Sequence, residues 1–227
     1  MDVRALPERP AQVRAEIDRR QRARGWTHPV TVVAVTKGFG LEAVEAALAA
    51  GLTDLGENRV QEAVTKIDSP LGARARWHLI GHLQRNKAKF VPGRFTLVHS
   101  LDSAELAAEL DRRVTGEPLR VLVQVNVAGE AQKHGCTPAA APDLVRAVAG
   151  CAHLKVEGLM AVAPMTDDAD VQRATFHGLR MLRDALEQEG LWLPALSMGM
   201  SDDYGVAVEE GATILRLGTA LFGPRST

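Results

Sequence analysis

Between Thr31 and Phe222, short β-branched or apolar runs alternate with segments rich in Ala, Leu, Glu and Arg, and no other feature restricts the fold as much. Parallel β/α units produce this pattern, because each strand needs cover and each parallel neighbour needs a crossover. Eight candidate strands are predicted: Thr31 to Lys37, Asp54 to Asn58, Trp77 to His82, Thr96 to Leu101, Arg120 to Val127, Lys155 to Ala163, Ala195 to Ser201 and Thr213 to Phe222. The first, fifth and sixth are continuously apolar, as strands covered on both faces must be.

The segments between them carry helix punctuation. Leu41, Val44 and Leu48 share a face before Gly51. Asp102 with Glu105 resembles a capping box for a helix running through Arg113, and Thr137 with Pro138 suits the start of a helix ending near Gly150. Leu179, Leu182 and Leu186 form a third apolar stripe, closed by Gly190. The expected architecture is a single (β/α)8 barrel domain spanning 1–227, with its strands and helices over about 31–223. No helix is expected after the eighth strand. A helix over about 11–24, with Val13 and Ile17 on one face, is expected to cover the closure instead.

Composition narrows the function. With 27 Lys plus Arg against 28 Asp plus Glu, the formal net charge is -1, so bulk attraction for nucleic acid or an anionic membrane is excluded. Met1 to Pro10 mixes Arg4, Glu8 and Arg9 with two prolines and lacks the apolar centre of a signal peptide. Apolar runs such as Leu159 to Ala163 fall far short of the roughly 20 residues that span a bilayer. Two cysteines, Cys136 and Cys151, do not make a disulfide framework, and a cytoplasmic location is expected.

In a barrel of this kind the reactive groups collect at the carboxyl ends of the strands. Lys37 ends the run VVAVT, so it is either a lysine reaching solvent or an amine desolvated by an apolar wall and able to attack a carbonyl. Gly199, Met200 and Ser201 end the seventh run, and Arg216, Leu217, Gly218 and Thr219 lie in the eighth. Small and hydroxyl residues there are either turn residues or an anion cradle of backbone amides. Gly218 within an apolar run favours close approach of a ligand. Closing strand eight on strand one would set the cradle beside Lys37, and a phosphate-bearing aldehyde condensed with lysine describes pyridoxal 5'-phosphate (PLP). Arg216 would sit beneath the ring, where a guanidinium cannot protonate the pyridine nitrogen. Its alternative role is a buried structural ion pair.

Five stretches carry a resemblance to a known family: VAVTK at Val33 to Lys37, GENRVQE at Gly56 to Glu62, WHLIGHLQRNK at Trp77 to Lys87, SMGMSDD at Ser197 to Asp203 and LRLGTALFG at Leu215 to Gly223. In order, and over nearly the whole chain, they closely resemble the PLP-binding homeostasis proteins, a family similar in fold to the N-terminal barrel domain of alanine racemase. The resemblance implies that Lys37 forms the Schiff base, that Asn58 lies beside the cofactor and that Arg216 faces the pyridine nitrogen. It further implies phosphate binding by Ser201, Gly218 and Thr219, and a role in holding and distributing PLP with little or no turnover. PLP-dependent apo-enzymes are then the implied partners. One family position differs: Lys133, His134 and Gly135 stand where Lys-Ser-Gly is usual, so the role of the middle residue does not carry over.

His78 and His82 are four apart, but on an extended segment their side chains would lie about 13 Å apart at roughly 3.3 Å per residue, so no shared metal is expected. His82 is expected at the mouth near the cofactor. The basic runs at Arg19, Arg20, Arg22 and Arg24 and at Arg85, Lys87 and Lys89 suit solvated helix faces, and no aromatic platform for single-stranded nucleic acid accompanies them. The rival enzymes are a single-barrel amino-acid racemase and a sugar-phosphate isomerase or aldolase. Racemisation needs two acid-base groups, and the chain has no tyrosine beyond Tyr204 and no second domain to supply another. The same lack of a second domain makes a monomer the expectation.

Overall fold

The computed structural model describes residues 8–224. The part of the signal-peptide reading that concerns Met1 to Pro7 lies outside them. The apolar runs become eight strands: β1 (Thr31–Val35), β2 (Asp54–Glu57), β3 (Arg76–Leu79), β4 (Leu97–Leu101), β5 (Leu119–Gln124), β6 (Leu154–Met160), β7 (Ala195–Ser197) and β8 (Ile214–Leu217). Each pairs in parallel with the next, and β8 pairs with β1 to close the barrel, as the alternation predicted. The closing register runs from Thr31 opposite Ile214 to Ala34 opposite Leu217.

Most strands end earlier than the apolar runs that announce them. β1 stops at Val35, β3 at Leu79 and β7 at Ser197, so Lys37, His82 and Ser201 all lie on loops. The apolar residues beyond a strand end are buried by their neighbours and not by the ladder. Gly38, at φ 74°, turns the chain out of the sheet just after Lys37. The eighth run needs the largest correction. Its strand ends at Leu217, and Thr219–Phe222 is one helical turn, α8 in chain order, which buries Leu221 and Phe222 completely. A short helix therefore does follow the last strand, and Gly218 is its N-cap and not a strand residue.

The N-terminal helix, α1 (Arg9–Arg24), covers the closure as expected. Val13 and Ile17 are buried, and α1 packs on α8 and on α7 (Tyr204–Glu209). Arg9 donates to the Leu221 carbonyl at 3.3 Å, Arg20 pairs with Glu209, and Trp26 Nε1 donates to the Glu209 carbonyl at 3.0 Å. Several arginines of the first basic run are thus engaged in ion pairs at this seam.

Around the barrel run α2 (Leu41–Ala49), α3 (Val60–Ile67), α4 (Ala104–Asp111), α5 (Ala141–Ala149) and α6 (Ala169–Gln188). The buried face of α2 is made by Ala43, Val44, Ala46 and Ala47, while Leu41 is exposed. α4 is capped by Ser103 and not by Asp102: Ser103 is extended and its hydroxyl accepts from Leu106 N at 3.4 Å. That leaves the Asp102 carboxylate for the rim. α5 begins later than predicted, with Pro142 in its first turn, because Thr137 and Pro138 belong to a separate turn in which Thr137 Oγ1 accepts from Ala140 N. Inside the barrel, Val33, Leu97, Leu122, Met160 and Ile214 form a compact apolar cluster distinct from the main core between strands and helices.

If α1 seals the barrel, Ile17→Ala, at a residue 1% exposed, should cost about 2–5 kcal/mol in chemical denaturation. The exposed neighbour Asp18→Ala should stay within about 0.5 kcal/mol of wild type. Equal midpoints for the two variants would show that α1 adds nothing to the closure.

Candidate functional site

The loops leaving β1 and β8 meet because those strands are paired. An added Cβ at Gly218 would lie 3.8 Å from Val35, an ordinary contact, so Gly218 sits level with the end of β1. Lys37 follows two residues later and is half-buried. The backbone on both sides of it is held: the Thr36 carbonyl accepts from Lys66 Nζ at 2.8 Å, Thr36 Oγ1 donates to Glu57 at 2.6 Å, and Gly38 N donates to Glu62 Oε1 at 2.5 Å.

Lys66 and Glu57 form a buried ion pair at 2.6 Å, with side chains 5% and 0% exposed. Burial pushes the Glu57 carboxyl above its usual range, and the bonds from Lys66 and Thr36 oppose that shift without cancelling it. Sequence reasoning missed all three of these supporting residues. Glu57 and Glu62 stand inside the GENRVQE stretch, and Lys66 follows Glu62 by four on α3, a spacing that could have revealed them.

On the other side of the seam, the Ser201 hydroxyl accepts from Gly218 N at 3.1 Å and from Ala220 N at 3.0 Å, with the exposed Thr219 between them. The loop that carries Ser201 is fixed by Asp203, which accepts from Met200 N, and by Gly199 at φ 95°, where an added Cβ would lie 2.6 Å from that of Ala207. Two amides and a rotatable hydroxyl converge at one point. An acceptor with several oxygens could replace Ser201 Oγ on those amides and receive the hydroxyl proton as well.

Beneath this rim lies Arg216, 4% exposed, donating to Ser197 Oγ at 2.7 Å and to the Ala161 carbonyl at 2.9 Å. No carboxylate pairs with it among the described residues, which removes the structural ion-pair reading. Burial lowers its pKa to about 10, with Asp203 acting in the opposite sense.

Ser197 continues the contact inward. Its Oγ lies 2.8 Å from His99 Nδ1, His99 Nε2 lies 2.9 Å from His78 Nδ1, and His78 Nε2 lies 3.1 Å from Asp54 Oδ1. Desolvation holds His99 well below the ordinary histidine range, so it is neutral, with one donor and one acceptor. A chain of contacts thus runs from Arg216 through Ser197, His99 and His78 to Asp54, which Arg76 grips at 2.8 and 2.6 Å. His78 is therefore an interior link and not a partner of His82.

Asn58 and His82 line a second cleft, on the β2–β3 side of the mouth, together with Arg59, Gln84 and Lys87. Ser201, Gly218 and Thr219 thus form one group at the β7–β8 tips, Lys37 stands across the closing seam from it, and Asn58 with His82 forms another part of the rim.

Comparison with known proteins now adds to this geometry. Residues 12–226 match the family model of the alanine racemase N-terminal domain. A pyridoxal phosphate homeostasis protein of Pseudomonas aeruginosa is 43% identical over 224 residues, covering 97% of this chain and 96% of its own. The chain belongs to the pyridoxal phosphate homeostasis protein family. A solved family structure, PipY of Synechococcus elongatus with PLP bound, is 37% identical with a TM-score of 0.79, covering 92% of this chain and all of that one. An alanine racemase of Clostridium difficile, 14% identical with a TM-score of 0.76, shares the fold over 94% of this chain and 58% of its own.

The ion pair beside Lys37 makes a pH-dependent prediction. Lys66→Met strands the Glu57 carboxylate, and breaking a buried pair in this way costs about 3–5 kcal/mol. Because the folded-state pKa of Glu57 lies above 4.5, the ionised carboxyl opposes folding, and protonating it as the pH falls toward that value removes the penalty. The deficit of the variant in urea unfolding should therefore be larger at pH 8 than at pH 5. A deficit independent of pH would show that Glu57 does not sense Lys66.

Proposed function

We propose that this chain holds PLP and acts in its homeostasis, with the cofactor aldehyde carried as a Schiff base on Lys37, little or no turnover, and release to PLP-dependent apo-enzymes. The whole site is built on one barrel unit. The observation that carries the reading is the convergence of the Ser201 hydroxyl with the Gly218 and Ala220 amides, across the β8–β1 seam from the lysine loop. Relatives named for pyridoxal phosphate homeostasis, and a solved relative with PLP bound, support it.

The residues present suit the group. Ser201, Gly218 and Thr219 would hold the phosphate through hydroxyl and backbone donors, Arg216 would lie under the pyridine ring, and Asn58 and His82 would border the open side. When bound, PLP supplies an aldehyde carbon for primary amines and a ring that delocalises electrons. The protein's contribution is to place and restrain. Arg216, with its pKa still about 10, remains a cation at neutral pH and would offer a ring nitrogen a hydrogen-bond donor but no acidic proton, which would favour holding over carbanion chemistry.

The racemase reading needs a second proton carrier facing the first. The single tyrosine, Tyr204, lies on α7 in a cleft with Glu16 and Arg20 of α1, and burial pushes its phenol above the usual tyrosine range, which works against a role as the second proton carrier.

Protein supplied with PLP should absorb in the visible range, and borohydride should fix the cofactor to Lys37. Lys37→Ala should lose both the colour and the attachment. A colourless wild type that PLP cannot reconstitute would favour a sugar-phosphate enzyme. Sustained exchange of an amino acid's α-proton with solvent deuterium, dependent on Lys37, would favour the racemase.

A further inference from the structure

Opposite the β8–β1 seam in the strand order, the loops that follow β3, β4 and β5 bring three ligand-type side chains together. His82 Nδ1 lies 3.2 Å from Asp102 Oδ2, and the His82 and His134 rings are stacked with centroids 3.8 Å apart and planes 6° apart. A ligand atom from each of the three lies within 4.8 Å of the other two. We propose that His82, Asp102 and His134 bind one divalent first-row transition metal ion, with coordination positions left over for water or a small anionic ligand.

The donor set is the first argument. Two imidazoles and one carboxylate are borderline ligands that suit Zn2+, Co2+ or Ni2+, and three protein ligands leave a site open. Preparation of the site is the second. Asp102 is available because Ser103 caps α4 in its place. The loop bearing His134 is held by Gln124 Nε2, which donates to the His134 carbonyl at 3.0 Å, and by Asn126 Nδ2, which donates to the Glu130 carbonyl at 2.9 Å. Among the described residues the His134 ring nitrogens have no hydrogen-bond partner, so they can ligate without breaking a bond.

Two parallel ring planes share no in-plane point, so loading must turn at least one imidazole out of the stack. Both histidines are exposed, and the stacking given up is worth only about 0.5–1.5 kcal/mol by comparison with aromatic pairs. Cys136 follows His134 by two, but it is not among the ligand atoms that lie within 4.8 Å of one another, and its Sγ donates to the Gln124 carbonyl at 3.4 Å. It is therefore left out of the ligand set. The site was invisible to linear spacing, since positions 82, 102 and 134 match no short metal motif, and it uses the histidine that replaces the family's usual serine.

The test is calorimetric titration of the purified PLP-loaded protein with Zn2+, checked by competition with a chromophoric chelator. Wild type should bind one Zn2+ per chain. His134→Ser, His82→Gln and Asp102→Asn should each weaken binding by at least roughly tenfold, the lower end of the loss caused even by residues that merely orient ligands. In 15N spectra of the wild type, the His82 and His134 ring signals should shift together at one equivalent. All three positions are at the rim, and unchanged circular dichroism would confirm that the variants fold. Failure of wild type to bind one Zn2+, or binding that persists in all three variants because the ion sits on the cofactor or elsewhere, would overturn the proposal.

Discussion

The pairing of β8 with β1 is the constraint on which the rest depends. A closed parallel barrel has no free edge, so each strand's register is fixed from both sides. At the seam, Val33 lies opposite Arg216 and Ala34 opposite Leu217. That register sets Gly218 against the end of β1 and brings the amides of 218 and 220 to the same rim as Lys37. A slip of one residue would move Arg216 from the interior to the helix layer and separate the lysine loop from the amides. α1 contributes by burying Val13 and Ile17 over this seam, so a helix far from the candidate chemistry helps to hold it in place.

The barrel interior shows how a cation is kept under that rim. Burying a guanidinium is costly without polar partners. Here the nearest acceptors are neutral, Ser197 Oγ and the Ala161 carbonyl, and the carboxylate at the end of the chain of contacts, Asp54, lies beyond two histidines. Because His99 is neutral, it donates one of its two contacts and accepts the other, and adds no second cation beside the arginine. The arginine is consequently oriented by neutral acceptors without being paired to a carboxylate among the described residues. A direct salt bridge would have fixed the side chain equally well but would have spent its charge.

The periodicity of the sequence was sufficient for the barrel, since eight apolar runs with helix-forming segments between them admit few other arrangements, and the covering role of Val13 and Ile17 was also legible. Ends were not. Where a strand stops depends on a backbone turn such as that at Gly38, and where a helix starts depends on which of two adjacent oxygens reaches an amide, as with Asp102 and Ser103. The residues singled out at the strand ends do fall on the mouth, yet their supports escaped notice because each is a contact between distant positions. The spacing of His78 and His82 suggested no shared ion, but it gave no sign that His78 is bonded to His99 on the neighbouring strand. Lys66, not singled out in the sequence, is buried against Glu57.

The two sides of the mouth are built from different materials, and this bears on how each can change. On the β7, β8 and β1 side, the donors are backbone amides, and the lysine loop is pinned by a buried ion pair that ties it to β2. On the β3, β4 and β5 side, His82 and His134 are exposed and Asp102 is partly buried, all three on loops that follow the strands. The exposed His82 and His134 can therefore be exchanged without disturbing a strand. The amides and the lysine loop on one side are thereby tied to the closure of the barrel, while the side chains on the opposite rim are not.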